Sequence, residues 1–501
     1  MRMTRFDYIC IAILVLFSIF AMLVRLGDHC LWQDEAETAL ISKSVLKYGI
    51  PKATDGLNSF SQLHGHELGP GGVSLSQTWL PYYLIAGFFA LFGASTFVAR
   101  LPFALLGVGT VVLIYFLGRS LWNSRRAGML SALLLLSSVP FLILVRQCRY
   151  YSAEMFGCLL VFLAYFRMLE GRKRGFALFT VASVLLFHTH YMHCGITLVA
   201  LATHALIFQR GKLKWVLLTS VITGVLCLPW IIGVAGINDA CAREMGYIPF
   251  DLDRVPQLIS MLSSLIFQFI VPAPLLLLPF AIAYKWRERR KQLIPANDTL
   301  SKAAALGLFI VFNILILSLL SPDDQFRRID VLIPAFCLIL ALMLEMSARI
   351  HWGLMLIGLL LYANAQPLRH FAHELTHHYR GPVDGIVDYL NHHARPTDTV
   401  AITYEDMPVK FYTRLRVFGG LSQENLEDAA KADWIVIRKY SVCTQDRDFK
   451  DYLLHNVDWS HYKFIRIDYP DTPFENREDP RLHYYGTVEN EDRVLISRRT
   501  H

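Results

Sequence analysis

The sequence predicts a mostly α-helical, polytopic membrane bundle with a small α/β domain at its C-terminal end. Three observations carry that expectation. Of 501 residues, 54% are hydrophobic and 18% charged, with mean hydropathy +0.39, a balance that excludes disorder and an ordinary soluble enzyme. About eleven apolar runs of spanning character follow one another, separated by short basic clusters. From Arg369 onward the composition turns charged, and short apolar strands alternate with amphipathic stretches.

The first run, Tyr8 to Val24, follows a short basic start with Arg2 and Arg5, and no small-residue cleavage site comes after it. It reads as an uncleaved first transmembrane helix with a cytoplasmic N-terminus. Further spans are expected over Leu101–Gly118, Ala127–Val145, Met155–Phe166, Phe176–Phe187, Tyr191–Phe208, Trp215–Ile237, Ile266–Tyr284, Ala303–Ser321, Val331–Leu344 and Trp352–Pro367. Several fall short of the roughly 17 residues a span needs and must draw on their flanks.

Trp79 to Phe92 decides the topology, because counting it as a span reverses everything after it. It is short, and Trp79, Tyr82 and Tyr83 suit the headgroup region, so it is read as lying along the interface. The short loops then assigned to the cytoplasm hold about nineteen Lys and Arg in about 55 residues, against about ten in roughly 116 outside. An odd number of spans places the C-terminal segment outside the cytoplasm. The expected division is a membrane region over 1–368, with a first outward loop at 26–100, and a soluble α/β domain over 369–501. In the latter, Asp398–Tyr404 and Asp433–Arg438 read as strands, Pro382–His393 and Gln423–Ala432 as helices.

The net charge of +7 does not indicate nucleic acid, because the basic residues cluster between apolar runs where topology accounts for them. Nine cysteines without CxxC spacing give neither a disulfide framework nor a zinc ribbon.

Two outward segments hold chemistry. Leu31-Trp32-Gln33-Asp34-Glu35-Ala36-Glu37-Thr38 puts three carboxylates beside an aromatic anchor, which suits binding a cation or taking a proton from a hydroxyl; a solvated acidic first turn of a helix is the plainer alternative. The hairpin Arg146 to Glu154 holds two arginines and a carboxylate where hydrocarbon gives way to water, a depth at which charges are functional or paired. Arginine's planar fork suits phosphate, whereas snorkelling to headgroups is the competing account.

LWQDEAETALISKSVLKYG, then YYLIAGFFALFGASTFVARLP, GRSLW and RQCRYYSAE, together resemble the GT-C superfamily of lipid-linked-sugar glycosyltransferases. The nearest branch holds the protein O-mannosyltransferases and the aminoarabinose transferases that modify lipid A. The resemblance covers about Leu31 to Glu154, weakens through the middle helices, and is architectural only at the C-terminal end. It implies a polyprenyl-phosphate-sugar donor, an inverting transfer on the outer face of a bacterial inner membrane, and a lipid, glycan or protein acceptor. Asp34 takes the place of the family's catalytic carboxylate, Glu35 the neighbouring acidic position, and Glu154 that of a second acidic residue. Arg149 and Tyr151 share that second loop and stand to meet the donor phosphate, with Arg327 or Arg328 supplying further cationic charge. Where the lipid A branch has a phosphate-binding lysine this chain has Gln77-Thr78-Trp79, and Ile329 follows Arg328 in place of a tyrosine.

No cofactor is required by this scheme; should a divalent cation bind, His188 and His190 are the candidate ligands. Two readings from other classes stay open. One is a polyprenyl-lipid transporter or binding protein, disfavoured by the lack of an internal repeat. The other is a membrane zinc protease, since His373-Glu374-Leu375-Thr376-His377 matches HExxH but lacks an evident third ligand.

Overall fold

The computed structural model describes residues 4–235 except 76, six residues between 255 and 264, residues 297–320 and 326–348, and residues 352–500 except 423, 442, 473–476, 478, 490 and 491. The span expected over Ile266–Tyr284 and the segment Pro322–Gln325 lie outside them.

Helix α1 (Arg5–Leu23) starts at Thr4, whose hydroxyl accepts from the Asp7 N–H while the Asp7 carboxylate accepts from the Thr4 N–H at 2.7 Å. That buried carboxylate also meets the Tyr115 hydroxyl at 2.9 Å and Arg119 at 3.0 Å, so the charge is paired. Helix α2 (Gln33–Tyr48) ends at Gly49, which adopts φ +75°, a conformation that costs a residue without Cβ little. A two-strand ribbon follows, β1 (Leu68–Gly69) and β2 (Val73–Ser74).

Helix α3 (Leu80–Phe92) is the run read as interfacial. Its 13 residues reach about 20 Å, short of a hydrocarbon core. Tyr82, Ile85, Ala86 and Phe89 pack towards α2 and the following helix, while Leu91 and Phe92 stay exposed.

Helix α4 (Thr96–Trp122) is longer than the apolar run predicted, because the Ser95 hydroxyl caps it from the Val98 N–H. It is the hub of the bundle, packing on α1, α5 (Arg125–Leu136) and α7 (Tyr151–Leu169). Gly118 and Gly128 let α4 and α5 touch: a Cβ on Gly118 would lie 2.6 Å from Ser131 Oγ, and one on Gly128 2.7 Å from the Tyr115 carbonyl. The single span expected over Ala127–Val145 is two helices instead, α5 and α6 (Val139–Leu144). The break follows from Pro140, which has no N–H to continue the α5 ladder and whose ring excludes the preceding turn.

Helices α8 (Gly175–Thr189), α9 (Tyr191–Phe208) and α10 (Leu213–Ala235) follow the expected runs closely. Helix α11 (Asn297–Leu320) packs on α9, and α12 (Leu332–Ala348) on α5. Helix α13 (Trp352–Thr376) passes through Pro367 rather than ending there. Among the described residues five helices are long and apolar enough to cross a membrane: α4, α7, α9, α10 with its preceding turn, and α11. Helices α1, α3, α8 and α12 are apolar but shorter.

The C-terminal segment opens with α14 (Pro382–His393) and forms one five-stranded sheet in the order β4-β3-β5-β7-β6. Strands β3 (Thr399–Ile402), β4 (Arg416–Gly419) and β5 (Trp434–Val436) are parallel, whereas β7 (Arg493–Arg499) runs antiparallel to both β5 and β6 (Tyr462–Pro470). Helix α15 (Asp406–Tyr412) joins β3 to β4. The helix expected over Gln423–Ala432 is only the single turn α16 (Leu426–Ala429), and α17 (Thr444–Asn456) precedes β6.

This sheet does not stand apart from the first loop. Cys30 N–H donates to Asp384 Oδ1 (3.0 Å), Leu31 N–H to the Tyr412 hydroxyl (2.9 Å), and Gln33 Nε2 to Asp406 Oδ1 (2.8 Å). The side chain of Asn58 donates to the Leu415 carbonyl and accepts from the Val417 N–H. The C-terminal segment therefore clamps the start of α2, where the candidate site begins.

Candidate active site

The carboxylates of the LWQDE run have separate surroundings. At the N-terminus of α2, Glu35 is fully buried; it accepts from Arg100 Nε at 2.8 Å, Arg100 Nη2 at 2.6 Å and the Cys148 N–H at 2.6 Å, and from the Trp32 N–H at 3.3 Å. Arg100 also donates to the carbonyls of Leu26, His29 and Cys30, so this bidentate pair ties the loop, α4 and the 146–150 turn into one unit. Glu35 is thus engaged on both oxygens.

Asp34, one residue earlier, points elsewhere and keeps 17% of its side chain exposed. Arg327 Nη1 donates to its Oδ2 at 2.6 Å, and Arg149 Nη2 lies 3.6 Å from the same oxygen. Burial alone would raise its pKa, but Arg149, Arg327 and Arg477 outweigh it and hold the carboxyl at about 2. Asp34 is therefore a carboxylate throughout the physiological range.

Glu37, one turn further along the same face, has the opposite character. Burial pushes its pKa up to about 8, with Asp34 and Glu67 reinforcing the effect and Arg149 and Gln62 only partly opposing it. Gln62 Nε2 donates to Glu37 at 2.8 Å, and Arg149 Nη1 lies 3.7 Å away.

Arg149 sits at the centre of the group. It donates to the Asp34 carbonyl (3.1 Å) and the Thr38 hydroxyl (2.8 Å), and the Gln77 side-chain oxygen, with the amide turned to face the guanidinium, accepts from both of its terminal nitrogens at 2.9 Å. Gln77 belongs to the Gln77-Thr78-Trp79 stretch noted in the sequence. Arg149, Arg327, Arg328, Gln77, Tyr150 and His190 are among the residues lining a cavity of about 170 Å³ beside Asp34. Tyr150 rather than Tyr151 faces that cavity; Tyr151 is fully buried and stacks edge-on against Tyr150.

Glu154, in the first turn of α7, is fully buried. Its Oε2 lies 2.7 Å from His193 Nδ1 and 3.7 Å from His190 Nδ1. Of the expected cation ligands, His190 belongs to this cluster, whereas His188 instead faces Cys227 Sγ at 3.7 Å. His193 is the better second histidine, because helical spacing from the His190 cap turns it inward.

The HExxH segment does not assemble a zinc site. His373 and His377 stack on each other at 3.8 Å between centroids, while Glu374 turns to His483 Nε2 at 2.6 Å and to Arg146 at 3.9 Å. Among the described residues no third ligand joins them, the one group of three able to share an ion being Glu154, His190 and His193.

Some members of the site were not singled out from the sequence. Glu37 was counted only as one of the three carboxylates of its run, and its i, i+3 spacing from Asp34 was the signal that set it on the same face. Gln62 and Arg100 had none, since their partners are remote or lie on other elements.

The family described as dolichyl-phosphate-mannose-protein mannosyltransferase matches residues 76–232. An undecaprenyl phosphate-alpha-4-amino-4-deoxy-L-arabinose arabinosyl transferase of Pseudomonas aeruginosa is 28% identical over 256 residues, 48% of this chain and 42% of that protein. A second such transferase, of Pseudomonas fluorescens, is 28% identical over 45% of this chain and 41% of its own length. The chain thus aligns with about two fifths of the length of these relatives. The crystal structure of ArnT from Cupriavidus metallidurans bound to undecaprenyl phosphate superposes with a TM-score of 0.62 at 13% identity, covering 99% of this chain and 98% of that one. A match to a mannosyltransferase family across α3 to α10, which takes in the RQCRYYSAE segment, is joined by a fold shared over nearly the whole chain: this chain has the fold of ArnT.

Proposed function

We propose that the chain is an integral membrane glycosyltransferase that moves one sugar from an undecaprenyl-phosphate-linked donor to an acceptor on the extracytoplasmic face, with inversion at the anomeric carbon. The observation that carries this reading is the juxtaposition of an ionised, partly exposed Asp34 with a cavity lined by Arg149, Arg327 and Arg328. A single displacement at an anomeric carbon needs a carboxylate to orient the incoming hydroxyl and cations to stabilise the departing phosphate. Asp34 supplies the first and the three arginines the second.

A carboxyl held at about 2 is a weak base. It takes the acceptor proton late, after the oxocarbenium-like centre has made the hydroxyl acidic, and the donor phosphate helps by drawing Arg149 and Arg327 away from it. Glu35 acts through Arg100 by holding the loop in place. Glu154 acts through His193, whose Nε2 meets the Arg328 carbonyl at 3.2 Å, and Tyr151 by backing Tyr150. The membrane region spans 1–368 and the soluble domain 369–501, with the N-terminus in the cytoplasm of a bacterial inner membrane and the C-terminal domain outside it.

The test is reconstitution of the full chain in vesicles with a labelled undecaprenyl-phosphate sugar, followed by analysis of lipids and glycans for a new glycosidic bond. The expected result is transfer by the wild type that Asp34→Asn abolishes. Movement of the donor between leaflets without a new bond would make the protein a transporter and end the proposal.

A further inference from the structure

We propose that Glu154, His190 and His193 form a binding site for a divalent transition-metal ion of the Zn2+ class, set in the wall of the arginine-lined cavity. The argument starts from the tautomer of His193. Its Nε2 faces the Arg328 carbonyl at 3.2 Å, and a carbonyl can only accept, so Nε2 carries the hydrogen. In the neutral ring the Nδ1 lone pair then points at Glu154 Oε2, 2.7 Å away. A histidine that donates one N–H to a backbone carbonyl and turns its other nitrogen to a carboxylate-lined point is arranged as metal-bound histidines are.

The charge balance points the same way. Asp330 lies within hydrogen-bond reach of Glu154, and among the described residues neither Glu154 Oε1 nor Asp330 Oδ2 has a donor. Both residues are fully buried. A carboxyl pair closed off from water, with one oxygen of each unmatched, is satisfied by a shared proton or by a metal ion held beside it. The histidines supply a counter-charge poorly as imidazolium ions, because His190 stacks on His193 with centroids 4.4 Å apart and two such charges would repel. As neutral rings they are instead two good ligands.

Geometry allows the ion. Tetrahedral bonds of about 2.0–2.1 Å put ligand atoms about 3.3 Å apart. The separations from Glu154 Oε2 to His193 Nδ1 and His190 Nδ1, 2.7 and 3.7 Å, bracket that value, and a small rotation of the His190 ring that gives up its long 3.4 Å bond from the His193 N–H turns the one Nδ1 lone pair to the ion. Two imidazoles and a carboxylate suit zinc better than magnesium or calcium. Entry is through the cavity, since the His190 side chain is 14% exposed and lines it while Glu154 and His193 are closed off. Through the His193 to Arg328 bond, an ion there would also fix the backbone of a cavity arginine.

The test of this site reads metal binding and not activity, so its failure leaves the proposed transfer reaction untouched. Full-length protein, freed of any purification tag, is stripped with a chelator in detergent and titrated with Zn2+, reading bound metal by mass spectrometry and melting temperature with and without zinc. Expected are one Zn2+ per chain, a melting temperature raised by zinc, and affinity at least tenfold weaker in both Glu154→Gln and His190→Asn. Asparagine can still cap α9 as His190 does, so that variant decides the matter even if Glu154→Gln misfolds. A double His373→Asn, His377→Asn variant is expected to bind as the wild type does. Absence of stoichiometric zinc in the wild type, undiminished binding in His190→Asn, or loss of binding in the double variant would each overturn the proposal.

Discussion

Replacing Asp34 by asparagine removes one charge and almost no volume, which makes its consequences separable. The amide oxygen introduced by Asp34→Asn can still accept from Arg327 Nη1, which lies 2.6 Å from the native carboxylate. Arg327 is itself 18% exposed, so the loss of the ion pair costs less than the roughly 3–5 kcal/mol of a fully buried one. The variant should therefore fold, with a modestly lower melting temperature. What it loses is the carboxylate that orients the acceptor hydroxyl and takes its proton. General-base contributions of about 10² to 10⁴ correspond to roughly 2.7 to 5.4 kcal/mol of barrier, and kcat should fall by that factor. Donor KM should move the other way or not at all, because Arg149 and Arg327, released from Asp34, are freer to meet the donor phosphate. Transfer measured in detergent with a labelled undecaprenyl-phosphate sugar, at saturating and limiting donor, reads both quantities. A folded variant with wild-type kcat refutes the assignment of Asp34 as base. An intact kcat with a raised donor KM would instead make Asp34 a holder of the two arginines and nothing more.

Three further outcomes are expected. Arg149→Lys keeps the charge but loses the fork that meets Gln77, and Arg149→Ala loses both, so donor KM should rise in the order wild type, Lys, Ala, the last by about 10- to 150-fold for the loss of about 1.5–3 kcal/mol; equal KM in wild type and a folded Ala variant would return Arg149 to snorkelling. Glu37, raised from 4.5 in the unfolded chain to about 8 in the folded one, binds more protons when folded, so its stabilising contribution is complete below pH 4.5 and is lost as pH rises through 8. Melting curves across that window should show the decline and Glu37→Gln should flatten it, while an unchanged slope would disprove the protonated Glu37. A cysteine placed at Ser441, on a background without accessible native cysteines, should react with a membrane-impermeant reagent from outside; protection there with labelling at Ser124 would mean that α3 spans and the topology after it is inverted.

What the sequence made legible is what local pattern determines. Tyr191–Phe208 and Pro382–His393 appear with the ends predicted, since apolar period and a capping residue fix a helix within its own stretch of chain. The α5–α6 break was visible in Pro140, but a run rich in leucine hides one proline from any reading based on hydropathy alone. The clamp between Gln33 and Asp406, residues separated by 373 positions, had no local trace, nor did the Arg100–Glu35 pair across 65. Which of two adjacent tyrosines faces the cavity depends on the exact residue at which α7 begins, and sequence places such boundaries poorly. That is why Tyr150 rather than Tyr151 lines it.

Asp34, Glu35 and Glu37 carry the same functional group within four positions, yet their surroundings assign them three different jobs. Glu35 faces α4, finds a bidentate arginine and two backbone N–H groups, and has no oxygen left for a substrate. Asp34 is met by Arg149 and Arg327 from the cavity wall, and these two with Arg477 keep it ionised while part of it stays open. Glu37 lies a turn deeper, where the same Arg149 is already committed to Asp34 and the other neighbours are the neutral Gln62 amide and the carboxyls of Asp34 and Glu67, so desolvation dominates and the group holds its proton. The contrast between Asp34 and Glu37 is a product of one arginine shared unequally: a full counter-charge for both would leave two anions and no spare cation, whereas protonating Glu37 frees the positive charge of Arg149 for an incoming phosphate. An acid and a base of nearly the same intrinsic strength are thereby separated on one helix face, the arrangement by which catalytic sites commonly divide labour between carboxyl groups. Glu37→Gln should accordingly preserve transfer and Asp34→Asn destroy it, although to the sequence alone the two residues look interchangeable.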